Sequence, residues 1–198
     1  MSSQAAAVLK TKTHAQDINT GLDADYRNDM TGHLTDILAA TYKLTIKSHV
    51  YHWNVVGPLF KPLHELTEEH YNALFAATDV IAERIRALGH LAPEKFGDAS
   101  SFAPDGKSLN HKTAESMVED LVKDHEAAVR TMREAGGKAG DAGDLVTEDM
   151  LGMFERVPRF VKKYADIAGV IETTVAQYAE EVRGRSFPTP DQTYQPKS

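Results

Sequence analysis

The residues best equipped for chemistry lie between positions 47 and 89, in the run KSHVYHWNVVGPLFKPLHELTEEHYNALFAATDVIAERIRALG. It holds His49, His52, His64, Glu68, Asp79 and Glu83. The chain has no cysteine, which excludes disulfides, thiolate metal sites and thiol catalysis and leaves the redox compartment unmarked. Any metal must therefore be held by imidazole and carboxylate, a donor set that suits iron, manganese or zinc better than soft metals. His64 and Glu68 are four positions apart, as are Asp79 and Glu83, so each pair shares one face of a helix and forms a plausible half of a metal site.

The two halves cannot meet within one chain. Asp79 lies fifteen positions beyond His64, or about 22 Å along a helix rising 1.5 Å per residue. At ~100° per residue, Glu68, Asp79 and Glu83 lie about 40°, 60° and 100° round from His64, whereas Leu63, Leu74, Ile81 and Ile85 cluster at about 260° to 300°. The candidate ligands thus point away from the apolar stripe and out of their own bundle. A second copy packed antiparallel across a two-fold axis near Ala73 and Leu74 resolves the difficulty. His64 and Glu68 of one chain then face Asp79 and Glu83 of the other, giving two sites per dimer, with Phe75 and Ala76 available to pack across the seam. His52 completes the site if the turn at Gly57-Pro58 brings it alongside His64. Imidazole supports a ferrous ion and carboxylates stabilise the charge added on oxidation, so iron fits this mixture. Trp53 is either a nearby electron donor or packing.

The elements that must position these groups read as helices. From 23 to 56 there is no proline, and Leu34, Ile37, Leu38, Leu44 and Val50 recur at helical spacing up to the stop at Gly57-Pro58. A second helix runs over about 62–88, with Leu63, Leu66, Leu74, Ile81, Ile85 and Leu88 as its stripe and Gly89 just past its end. Positions 92–110, with Pro93, Gly97, Pro104 and Gly106, read as a long crossover. A third helix spans about 113–135, with Met117, Leu121 and Val129 inward, and Gly136-Gly137 is expected to end it. A fourth region starts with Asp144 as N-cap and runs towards 182, interrupted at Gly152, Pro158 and Gly169, with a kink expected near Pro158. The organisation expected is an aperiodic arm over 1–20, a bundle over 21–182 and a polar, proline-rich disordered tail over 183–198. The fold class is all-α: a four-helix bundle with a long connection between helices two and three, in the up-down-down-up, ferritin-like order.

With 198 residues, 41% hydrophobic and 26% charged, the chain is long enough for one domain with a sizeable core. No run approaches the ~20 apolar residues of a membrane span, nor does the start contain a signal-peptide core. A cytoplasmic location is the default, nucleoid-associated if the arms bind DNA. A net charge of -7 sets the folded body against polyphosphate surfaces. Any DNA contact falls to Lys10 and Lys12 near one end and Arg183, Arg185 and Lys197 near the other. These are few, and they favour at most weak binding multiplied by avidity in an assembly.

The run over 47–89 strongly resembles the Dps family, the ferritin-like DNA-protection-during-starvation proteins. The matching residues are His52-Trp53-Asn54, Gly57-Pro58, Phe60, Leu63-His64-Glu65, Asp79, Ile81-Ala82-Glu83-Arg84 and Leu88-Gly89. The likeness extends more weakly to about Asp149. It implies that His52, His64 and Glu68 are ferroxidase ligands from one subunit and that Asp79 and Glu83 come from its two-fold mate. It also implies a dodecameric shell that oxidises ferrous iron, preferentially with hydrogen peroxide and otherwise with dioxygen, and stores ferric mineral inside. Two departures stand out. Glu68 replaces the family's usual aspartate, which should change metal spacing and affinity without removing the site. MFERVPRFVKKYADIAG, with Pro158 inside, replaces the histidine-glutamate-lysine and tryptophan pattern of the fourth helix, so packing of the shell there is expected to differ.

Plainer roles fit several other residues. His49 suits packing or support of the ligands more than ligation, and His70 and His125 read as polar or partly buried helix positions. Asp141, Asp144 and Glu148 read as a solvated helix start, where carboxylates suit the dipole, with a cation-drawing pore as the alternative. Glu83 has Arg86 three positions on as a competing partner. A di-iron centre within one chain requires a Glu-x-x-His pair on each of two helices, and none occurs. The rival from another class is a nucleoid-compacting protein with a vestigial metal site.

Overall fold

The computed structural model describes residues 12–95 and 112–152, together with Glu180, Arg183 and Gly184. Within them the chain forms four helices: α1 (Ala24–Asn54), α2 (Phe60–Ala87), α3 (Ala114–Asp141) and the short α4 (Leu145–Met150). Described residues include no strand. Helix α1 is the element against which both α2 and α3 pack.

Local chemistry sets the ends. Asp23 caps α1, its Oδ1 accepting from the Asp25 and Tyr26 amides at 2.8 and 3.3 Å. Its inward face is Met30, Leu34, Ile37, Leu38, Leu44, Val50 and Tyr51, all buried. The chain then leaves the helix at Val55 in extended conformation. Gly57, at φ +91°, reverses it, and the Phe60 amide donates to the Gly57 carbonyl at 3.0 Å. A left-handed backbone at that point is one that glycine adopts without steric cost. Helix α2 runs unbroken to Ala87, with Leu88 as its cap and Gly89 at φ +94° beyond it. Both helices end within two residues of where periodicity and punctuation place them.

Helix α3 differs from expectation. It begins at a capping box between Thr113 and Ser116 and passes straight through Gly136-Gly137 to Asp141. Two glycines cost a helix roughly 1 kcal/mol each relative to alanine, but the buried stripe of Met132, Ala135 and Ala139 continues across them. Lys138 also reaches α1, meeting Asp29 at 3.1 Å and His33 Nε2 at 2.6 Å. The true stop is Gly143, at φ +70°. Asp144 then caps α4 as expected, and Gly152, at φ +76°, follows Leu151 at its end. Pro158, Gly169, the central crossover positions Pro104 and Gly106, and the tail over 185–198 lie outside the described residues.

The aperiodic start is tied down at its root. The Gln16 amide donates to the Gly89 carbonyl at 2.8 Å, and Arg86 Nη1 lies 3.5 Å from the His14 carbonyl. A Cβ at position 89 would stand 2.6 Å from the Gln16 carbonyl oxygen.

Two ionic clusters fasten the helices. Lys47 of α1 is only 3% exposed, with its ammonium 3.0 Å from Asp120 and 2.6 Å from Asp124 of α3. The Tyr51 hydroxyl donates to Asp120, and Lys112 lies 3.4 Å from the same carboxylate. Burial alone would lower Lys47, but its hydrogen bonds and the two carboxylates hold it above its ordinary value. Burial likewise pushes Asp120 up, and the Tyr51 and Lys47 hydrogen bonds with the neighbouring cations outweigh it, taking the group to about 2.

The second cluster centres on Asp144, 2% exposed. Arg84 Nη2 reaches its Oδ1 at 2.6 Å, the Tyr26 hydroxyl donates to Oδ2 at 2.9 Å, and the Thr147 hydroxyl donates to Oδ2 at 2.6 Å. Burial pushes Asp144 up, yet Arg84 and Thr147 hold it below its ordinary value, while burial and Asp144 raise the Tyr26 phenol.

A carboxyl whose folded value is depressed stabilises the fold above its unfolded value and loses that contribution as pH falls through the folded one. The thermal midpoint is therefore predicted to drop as pH is lowered from about 4 to about 2. Asp120→Asn should flatten that acid limb in melts followed by circular dichroism. An unchanged limb in the variant would refute the assignment to Asp120.

Candidate metal centre

His52 stands in the last turn of α1 and His64 in the second turn of α2, facing each other across the Gly57 reversal. Their rings stack with centroids 3.6 Å apart and planes 19° off parallel. Each Nδ1 bonds the backbone carbonyl of the other residue, His52 to His64 at 2.8 Å and His64 to His52 at 2.9 Å. A carbonyl oxygen only accepts, so both Nδ1 atoms carry the proton and both Nε2 atoms of the neutral rings keep free lone pairs. This is the tautomer that a metal-binding histidine has when its other nitrogen is pinned to a carbonyl. Both residues are half-buried, and the Phe60 ring stacks 5.0 Å from His64.

Glu68 follows one turn beyond His64 and is exposed, with the Tyr71 hydroxyl 3.4 Å from its Oε1. Asp79 and Glu83 are exposed on the same helix. Arg86, the competing partner for Glu83, instead donates to the His90 carbonyl at 2.9 Å. Among the described residues no three His, Asp or Glu side chains converge on one point within the chain. The structure thus brings His52 and His64 together and leaves Asp79 and Glu83 apart from them on the continuous rod of α2.

His49 is packed rather than presented. Its ring stacks 5.2 Å from Trp53 and lies 3.7 Å from Tyr71, and burial, with His52 alongside, lowers its basicity. Trp53 is 62% exposed and Phe75 63%, and Val56 is also exposed. Large apolar side chains left in solvent beside the ligand candidates mark a face suited to contact with another molecule.

Asp144, expected in a solvated helix start with a pore as the alternative, is instead buried in the chain and gripped by Arg84. Asp141 is exposed and Glu148 half-buried. Of the candidate DNA contacts, Lys12 and Arg183 are exposed, while Lys10, Arg185 and Lys197 lie outside the described residues. Sequence reasoning missed two residues that matter here. The spacing of Tyr71 from Glu68, three positions on one face, was a signal available for it. Arg84 had none, because its partner Asp144 is sixty positions away.

The family model for the ferritin-like domain matches residues 31–157. The chain belongs to the ferritin-like family. A low temperature-induced protein of Nostoc sp. is 39% identical over 144 residues, which cover 70% of this chain and 79% of that one. An Erythrobacter litoralis protein named 3-methyl-2-oxobutanoate hydroxymethyltransferase is 47% identical over 124 residues, but the chain spans only 43% of its length; that name describes the longer protein. Among solved structures, the DPS protein of Vibrio cholerae matches with a TM-score of 0.69 at 23% identity, covering 87% of this chain and 99% of that one. DpsC of Streptomyces coelicolor matches at 0.70 and 21%, covering 96% and 99%. A Dps protein of Bacillus brevis matches at 0.66 and 25%, covering 83% and 99%. The ferritin-like fold is therefore that of Dps proteins, as the sequence resemblance implies.

The reciprocal carbonyl bonds predict the protonation pattern of the metal-free protein at neutral pH. Nitrogen NMR of imidazole-labelled material should show His52 and His64 both in the Nδ1–H form. A dominant Nε2–H form at either residue would contradict the geometry.

Proposed function

We propose that paired copies of this chain oxidise ferrous iron and store the ferric product inside a hollow shell. The observation that carries this reading is the stacked His52–His64 pair with both Nε2 lone pairs free, beside an exposed apolar face. In this reading the two imidazoles and the Glu68 carboxylate bind ferrous iron, as substrate, from one subunit. Asp79 and Glu83 of the partner subunit complete the site. The neutral nitrogens suit the ferrous ion as it binds, and the carboxylates stabilise the charge added on oxidation.

Two ferrous ions each lose one electron to a hydrogen peroxide molecule. Its O–O bond breaks, and two protons convert its oxygens to two waters. Dioxygen is the alternative oxidant. Removing ferrous iron and peroxide together deprives hydroxyl-radical chemistry of both reactants, which protects DNA and the cell. Membership of the ferritin-like family supports the reading, as does likeness to the Vibrio cholerae protein, described as belonging to a superfamily of ferritin-like diiron-carboxylate proteins. Shell assembly, expected to comprise twelve chains, follows the same likeness. In this reading Trp53, exposed and stacked on His49, is the nearby electron donor.

Stopped-flow oxidation of ferrous iron by peroxide tests the proposal. His52→Ala and Asp79→Ala should each slow the reaction at least about tenfold, while Glu68→Asp should remain active. Native mass should stay that of the wild-type particle in all three. Wild-type rates in both alanine variants would sink the reading.

A further inference from the structure

A pair of histidines lies in the interior of the bundle, apart from the face just described. His70 of α2 and His125 of α3 approach with ring centroids 5.5 Å apart and planes at 50°. His125 is 3% exposed. Its Nδ1 donates to the Leu121 carbonyl at 2.8 Å, so its Nε2 retains the lone pair. Both ring nitrogens of His70 are buried, and neither has a hydrogen-bond partner. Buried polar atoms are nearly always satisfied, so the two unpartnered nitrogens of His70 point to an occupant that the protein atoms alone do not supply.

We propose that His70 and His125 form a second cation site, within a single chain, that takes a divalent first-row transition metal through two imidazole nitrogens. Two rings sharing a zinc-sized ion at about 2.0–2.1 Å from each nitrogen have centroids about 5 to 6 Å apart. The observed separation falls in that range without movement of either helix. Uncharged nitrogen donors select a zinc-type ion over calcium or magnesium, which require oxygen ligands. The charge environment is mixed: Asp124 favours added positive charge at His125 and Lys47 opposes it. Among the described residues no third His, Asp or Glu joins the pair, so the ion keeps solvent ligands.

The site uses none of the residues proposed for iron oxidation, so the two readings stand or fall separately. The test uses the full-length protein carrying His52→Ala, His64→Ala and Asp79→Asn, which removes the proposed oxidation ligands. Stripped of metal and equilibrated with zinc alone, it should retain one ion per chain and melt at a higher temperature. In the same background His70→Leu should lower zinc retention at least about tenfold and abolish the rise in melting temperature. His70→Leu is the deciding variant because its position is half-buried, and circular dichroism checks that it folds. Zinc-edge anomalous diffraction from wild-type crystals should place a peak between the two rings. No zinc retained, retention unaffected by His70→Leu, or an anomalous peak only elsewhere would each overturn the proposal.

Discussion

Helix α2 runs from Phe60 to Ala87 without a proline, a positive-φ glycine or a break once its first turn is formed, and that stiffness governs the rest of the molecule. A helix of this length cannot fold back, so donors fixed along it keep their separation whatever the surrounding side chains do. His64 and Glu68 occupy one end of its outer face, Asp79 and Glu83 the other. The inner face is spent on Leu63, Leu74, Ile81 and Ile85, which bury against the remaining helices. A metal site drawing on both outer groups has to be finished by something outside the chain. The exposed Trp53, Val56 and Phe75 supply apolar surface of the kind that contact between molecules would cover.

The other elements hold this rod in place with unusual reliance on buried charge. Lys47, Asp120 and Asp124 pin α3 to α1, and Arg84 with Asp144 pins α4 to α2. Pairs of this kind add little net stability over apolar residues of the same volume, yet removing one partner strands a buried charge at a cost of about 3–5 kcal/mol. They therefore act more as registration pins than as adhesive. Each joins helices whose apolar stripes alone would tolerate sliding by a turn. The reciprocal bonds between His52 and His64 do the same for the α1–α2 hairpin at the end that carries both imidazoles.

Much of this was legible in the amino-acid order. The α1 and α2 boundaries follow from Asp23, Gly57-Pro58 and Gly89, because caps and glycine turns act locally and need no tertiary information. The pairing of His52 with His64 follows from the tight turn between them. What could not be read depends on contacts distant in sequence. Gly136-Gly137 looks like a helix end until Met132, Ala139 and Lys138 are seen packed on α1. Asp144 looks like a solvated cap until Arg84 is found against it. Lys47 looks like a surface residue on any hydropathy pattern, and only the folded chain brings Asp120 and Asp124 to it. The interior meeting of His70 with His125 is of the same kind, since the two lie on different helices fifty-five positions apart.

The bare Cα of Gly89 has a consequence of its own. The segment around Gln16 crosses directly over that glycine, at the far end of α2. That point is about 9 Å along the helix axis from Glu83 and nearly 40 Å from His64. A side chain at position 89 would therefore push the segment at Gln16 off the end of the helix that carries Asp79 and Glu83.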